Sequence, residues 1–161
     1  MIDDEMLKRL ESYLAENYVE LQIKFSVGPK YSRLSGFIQE RIDNLLAKFD
    51  HTFSNYLRDL IKSKGLTEIE VYKKACLDRR IFSKLRNDRS YKPSKRTILS
   101  VAFAMELNLN EAEDLLKQGG YALSEYSKFD VIIRFFFENQ IYDLFLINEI
   151  LDCYDFNPLS V

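Results

Sequence analysis

Apolar residues in this chain recur at three and four positions, and the recurrence is broken by residues of the kind that start and stop helices. That punctuation limits the fold more than any other feature, because a period of 3.6 puts every third or fourth side chain on one face. Phe53, Tyr56, Leu57, Leu60 and Ile61 form such a stripe. Thr67-Glu68-Ile69-Glu70 has the form of a capping box, in which the threonine hydroxyl accepts from the third helical amide and the glutamate reaches back. Gly65 stands where the preceding helix would end in a left-handed turn. Ser94, after Pro93, reads as an N-cap. Asn110-Glu111-Ala112-Glu113 repeats the capping logic, and Gly119-Gly120 stops the helix it opens. Ser127-Lys128-Phe129-Asp130 opens a further helix that Asn139 ends.

Thr97 to Leu109 is apolar nearly all round, which predicts the buried centre of a bundle. Phe135-Phe136-Phe137 has strand propensity, but its neighbours Ile132, Ile133 and Glu138-Asn139-Gln140 favour a helix that covers two surfaces of the core. Nearer the start, Met6 to Tyr18 and Leu34 to Phe49 read as amphipathic helices. Val19 to Gly36, with Gly28-Pro29, reads as an ordered loop or short extended pair. The expected fold class is all-α, a multi-helix bundle with helical N- and C-terminal extensions. Residues 1–50 form the first extension, with a boundary near Asp50-His51-Thr52. A five-helix domain occupies 51–123, and a C-terminal helical pair over 124–161 packs on it.

Composition removes several function classes. At 161 residues and 47% hydrophobic content the chain can build a core without disulfides or metals. Apolar runs such as Val101 to Met105 are far shorter than the ~20 residues of a membrane span, so no membrane partner is expected. Met1-Ile2-Asp3-Asp4-Glu5 is acidic, unlike a secretory signal, and a cytoplasmic location is the expectation. Cys76 and Cys153 lack CxxC spacing, and free, buried thiols are expected. His51 is the only histidine, and the chain has no phosphate-binding glycine loop and no metal-ligand cluster. An enzyme is therefore not expected, and neither is a cofactor or a metal.

Net charge is −2, which on its own argues against nucleic acid. Position reverses that argument. Between Lys73 and Arg96 ten basic residues face only Asp78 and Asp88, so this 24-residue window carries +8 and the rest of the chain −10. Residues 110–161 hold ten acids against Lys117, Lys128 and Arg134, or −7. The window reads as a short helix over Glu68 to Ala75, a tight turn at Cys76-Leu77-Asp78, and a second helix to about Arg86. On that second helix Phe82 and Leu85 share one face, with Ile81 beside them, which leaves Arg79, Arg80, Ser83, Lys84 and Asn87 outward. Arginine and lysine on such a face can read guanine edges in the major groove. Tyr91, Lys92, Lys95 and Arg96 fall beside the N-terminus of the next helix, where side-chain charge and free amides favour phosphate. Lys73 and Arg86 complete the expected set of phosphate contacts. Tyr31, in the Gly28-Pro29-Lys30-Tyr31-Ser32 segment, is a further contact candidate.

Gly65-Leu66-Thr67, Val71 to Ala75, Asp78-Arg79-Arg80-Ile81-Phe82-Ser83-Lys84-Leu85, Lys92-Pro93-Ser94 and the run to Leu115-Leu116 together resemble the Cro/C1-type, phage repressor-like helix–turn–helix domain. The resemblance covers about residues 53–118. It implies a five-helix all-α fold, usually dimeric, with the second and third helices docked on DNA, and Asp78 to Asn87 as recognition helix. Glu68 stands where family members often have a glutamine, Tyr72 where a small alanine is favoured, and Cys76 where glycine is common. A second stretch is similar to a bacterial helical module also found appended to macro-domain proteins. Its marks are Glu70 to Ala75, Phe82 to Arg86, Tyr91-x-Pro93-Ser94-Lys95, Gly120 to Ser124, Ser127 to Asp130 and Ile141-Tyr142-Asp143. The expected function is sequence-specific binding of double-stranded DNA by a bacterial or phage transcriptional regulator, as a homodimer. The alternative is a protein-interaction module on the same fold, meeting its partner through the N-terminal helices or the acidic C-terminal pair.

Overall fold

Residues 31–48 and 53–160 are described by a computed structural model, and among them the fold is all-α, with eight helices and no strand. The chain divides into two units, Met1–Lys48 and Phe49–Val161. In the first lies α1 (Tyr31–Lys48), which begins three residues before the expected Leu34. Residues 31–36, expected as loop or extended chain, are thus helical, and Tyr31 opens the helix. The expected helix from Met6 to Tyr18, the Gly28-Pro29 turn and the boundary at Asp50-His51-Thr52 lie outside the described residues.

The second unit holds α2 (Phe53–Ser63), α3 (Glu68–Lys74), α4 (Arg79–Asn87), α5 (Lys95–Ala104), α6 (Leu109–Gln118), α7 (Lys128–Glu138) and α8 (Leu144–Cys153). Its centre is α5. Every residue from Ile98 to Ala104 is buried, as a helix with no polar face requires. Helices α3, α6 and α8 pack against it, and Phe103 stacks on Phe137 of α7 with ring centroids 4.1 Å apart. Buried Ser100 donates its hydroxyl to the Arg96 carbonyl at 3.0 Å, so no polar group is stranded there. Leu57 and Ile61 of α2, Phe82 and Leu85 of α4 and Ile147 and Leu151 of α8 complete one continuous core. Of the three consecutive phenylalanines of α7, Phe136 and Phe137 are buried and Phe135 points outward.

Starts and stops use two repeated devices. Thr67, Asp78, Ser94, Asn108, Ser127 and Asp143 each cap a helix by accepting from an amide of its first turn. The cap of α6 is therefore Asn108, not Asn110, and its box partner is Glu111. The correction has its cause just upstream. The apolar run expected to continue to Leu109 stops at Ala104, because Glu106 turns left-handed at φ 52°. Six helices end that way, at Gly65, Cys76, Glu106, Gly120, Gln140 and Asp155. In each, the next residue donates its amide to a carbonyl inside the last turns, as Leu66 does to Ile61 and Phe156 to Leu151, and its side chain enters or abuts the core. Among the helices of the second unit only α4 ends in extended chain, at Asp88.

Two of these helix ends can be tested. Gln140 is exposed at φ 56°, a conformation that costs a side-chain-bearing residue about 1–2 kcal/mol. Gln140→Gly should raise stability in urea unfolding by about 0.5–1 kcal/mol once glycine's extra chain entropy is set against that strain. At the start of α6, the Lys64 ammonium and the Asn108 amide hold the Glu111 carboxyl below its usual pKa. A carboxylate whose folded pKa is depressed stabilises the fold above its unfolded pKa and loses that contribution as pH falls through the folded value. Glu111→Gln should therefore be less stable than the native chain at neutral pH, with the gap closing on acidification below the ordinary glutamate range. Urea unfolding across pH measures it.

Candidate nucleic-acid interface

The basic window folds as a helix, a tight turn and a helix. Thr67 and Glu70 start α3 with both bonds of a capping box, Thr67 N–H to Glu70 Oε2 at 2.8 Å and Glu70 N–H to Thr67 Oγ1 at 3.3 Å. The bonds from Thr67 hold the Glu70 carboxyl below its usual range. The chain then reverses at Cys76, which takes φ 52° in the place where glycine would be easiest. Leu77 comes next and packs onto the core, and Asp78 caps α4 by accepting from the Arg80 amide at 2.6 Å.

Helix α4 buries Phe82 and Leu85 and leaves Arg79, Arg80, Ser83, Lys84 and Asn87 exposed. All five expected readout residues thus share the outward side of one helix. The angle between α3 and α4 is fixed by contacts that the spacing alone did not reveal. Arg86 reaches Glu68 at 2.6 Å, and the Tyr72 ring packs on Phe82 with centroids 5.8 Å apart. Glu68 is therefore compensated inside the motif, and Tyr72 fills the space between the helices. Arg58 of α2 also donates to the Arg86 carbonyl at 3.4 Å.

Beyond α4 the Asp88 carboxylate accepts from the Ser90 hydroxyl at 2.6 Å and its amide at 2.9 Å, which keeps it below its usual pKa and ionised. Ser83, Lys84, Asn87, Asp88, Arg89 and Ser90 line an open concavity of about 580 Å³. Half-buried Tyr91 lies nearby, with the Lys84 ammonium 6.0 Å from its ring centroid. Lys73 and Lys92 are exposed and make no ion pair among the described residues.

The other expected phosphate contacts are held by the fold itself. Arg86 is paired with Glu68. Lys95 donates to buried Asp130 at 2.6 Å and to the Ala122 carbonyl at 2.7 Å. Arg96 donates to the carbonyls of Asn157 and Pro158 and lies 4.7 Å from the Phe129 ring centroid. Their acceptors lie 18 to 62 residues away in sequence, beyond what a local charge count registers. Conversely, Arg89 is absent from the expected contacts although it is exposed, unpaired among the described residues and lines the concavity beside α4. Its place in the basic window was the available signal.

Both cysteines are free, as expected, but exposed rather than buried. Cys76 occupies the left-handed turn, and Cys153 lies on the outward side of α8, away from Ile147 and Leu151. Among the described residues no cluster of three or more His, Cys, Asp and Glu could hold a metal, and no helix is long and apolar enough to cross a membrane. No family model, curated protein or solved structure matches the chain.

The division between held and open lysines is measurable. Removing Lys95 leaves the Asp130 carboxylate, 5% exposed, without its counter-charge, at a cost of about 3 kcal/mol. Lys95→Ala should lower unfolding stability by that amount, whereas Lys92→Ala should stay within about 0.5 kcal/mol of the native chain.

Proposed function

We propose that this chain is a sequence-specific DNA-binding protein of the helix–turn–helix kind, acting as a bacterial or phage transcriptional regulator. The observation that carries the reading is the exposed face of α4, where Arg79, Arg80, Ser83, Lys84 and Asn87 stand together on a helix whose only acidic neighbours in sequence are its caps, Asp78 and Asp88. In this reading α4 enters the major groove. Arg79, Arg80 and Lys84 donate to guanine O6 and N7, Asn87 pairs with adenine, and Ser83 bonds to either base. Phosphates are met by Lys73, Lys92 and Arg89, the exposed cations around that face, with Tyr91 beside them. Arg86 contributes by holding α3 against α4 through Glu68, and Lys95 and Arg96 by anchoring the start of α5. Two such chains would read paired half-sites about 34–36 Å apart.

Selection on random duplexes, then titration of the selected sites, tests the proposal. Three phosphate contacts per chain give a log–log salt slope of about −2.7 per bound chain, or roughly 40-fold weaker binding at 200 than at 50 mM salt. Arg79→Ala/Arg80→Ala/Lys84→Ala should abolish sequence preference while the thermal melt stays that of the native chain. Absence of duplex binding at 50 mM salt would sink the proposal and leave the α4 face to a protein partner.

A further inference from the structure

Helices α7 and α8 bury one face each against the core and leave a second apolar face uncovered between them. Val131, Ile132 and Phe135 of α7 and Leu146, Ile150 and Tyr154 at α8 line a groove of about 450 Å³. Four of these large side chains are 41–54% exposed, Val131 at 48%, Phe135 at 54%, Leu146 at 41% and Tyr154 at 52%. Their spacing, four apart on α7 and four and eight apart on α8, makes two ridges with a trough between them. Contiguous apolar surface of this kind marks an interaction site, and a trough between helices accepts the apolar stripe of a third.

Charge decides what fills it. Glu138 and Glu149 are exposed three positions past the groove-lining Phe135 and Leu146, exposed Asp155 follows Tyr154, and none of the three is in an ion pair among the described residues. Arg134 is already paired with Glu113 at 3.1 Å, and Lys128, near the Tyr154 ring, is the one other cation on these two helices. The apolar trough thus sits in an acidic field. A second copy laid groove to groove would set that field against itself, and an anionic membrane or nucleic acid would be repelled as well. We infer that the α7–α8 groove binds an amphipathic helix of a partner protein whose apolar stripe is flanked by lysine or arginine.

Two labelled synthetic helices about five turns long test this, with the same leucine stripe but lysine flanks in one and glutamate flanks in the other. Fluorescence anisotropy with the full chain should show binding of the lysine peptide only. Phe135→Ser/Leu146→Ser, which preserves every charge, should weaken that binding at least tenfold. Glu138→Gln/Glu149→Gln should weaken it several-fold and flatten its salt dependence; these surface carboxylates are dispensable to the fold, so this arm stands even if the serine pair perturbs folding. Equal binding of the two peptides, or lysine-peptide binding indifferent to the serine pair in a folded chain, overturns the inference. So does a dimer in sedimentation that the serine pair dissociates, since the occupant is then a second copy. Duplex binding should be unchanged in both variants, so this inference and the DNA reading succeed or fail separately.

Discussion

Complete enclosure of α5 is the constraint on which the rest of the second unit depends. A helix with no polar side cannot rest on one neighbour, and here α3, α6 and α8 pack against it while α7 reaches it through Phe137. Within this unit the helices from α2 to α6 and the pair after Ser127 therefore share one core. Enclosure also governs the charges at the start of α5. Lys95 and Arg96 stand where the helix enters the packed interior, and each is matched there, Lys95 by Asp130 and the Ala122 carbonyl, Arg96 by Asn157, Pro158 and Phe129. A cation in that position must be satisfied by the fold before it is offered to a ligand.

Where helices start was legible in the sequence because an N-cap is a local device. Thr67, Ser94 and Ser127 act within three residues of themselves, and the structure has each in that role. Where helices stop was legible at Gly65 and Gly120, and at Asn139, which caps the end of α7 as expected. At Cys76, Glu106, Gln140 and Asp155 a residue with a side chain accepts the left-handed conformation. What selects the site is the residue after it, since Leu77, Leu107, Ile141 and Phe156 must turn back onto the core. An apolar residue just past the end of a stripe was the signal, and it is weak until the core it enters is known. At Glu106 that signal lies inside an apolar run, so the pattern extends α5 too far and shifts the expected cap of α6 from Asn108 to Asn110.

The charged residues divide on the same principle. The five outward positions of α4 result from a nine-residue helix with Phe82 and Leu85 inside, so periodicity alone identified them. The phosphate set was not given by periodicity, because it depended on acceptors far along the chain, such as Glu68 for Arg86 and Asp130 for Lys95. Glu68 illustrates the point from the acidic side. Read alone at the start of a DNA-facing helix it repels phosphate, but bonded to Arg86 it becomes part of what sets the angle at which α3 and α4 meet.

Once the internally matched charges are set aside, the polarity seen along the sequence becomes a polarity of surfaces. Exposed Lys73, Arg79, Arg80, Lys84, Arg89 and Lys92 share their segment with Asp78 and Asp88 alone, whereas exposed Glu138, Glu149, Asp152 and Asp155 share their two helices and helix ends with Lys128 and Arg134 alone as cations. Such a division has an electrostatic cost within each cluster, and burial of the ion pair between Lys95 and Asp130 does nothing to relieve it. The two clusters also differ in kind. The basic residues on α4 surround polar Ser83 and Asn87, suited to hydrogen bonding with base edges, while Glu138 and Glu149 stand one turn past exposed Phe135 and Leu146, which are suited to excluding water against another helix. On the proposed reading, a duplex is drawn to the first surface and repelled by the second, which leaves the α7–α8 groove open to a protein while DNA is bound.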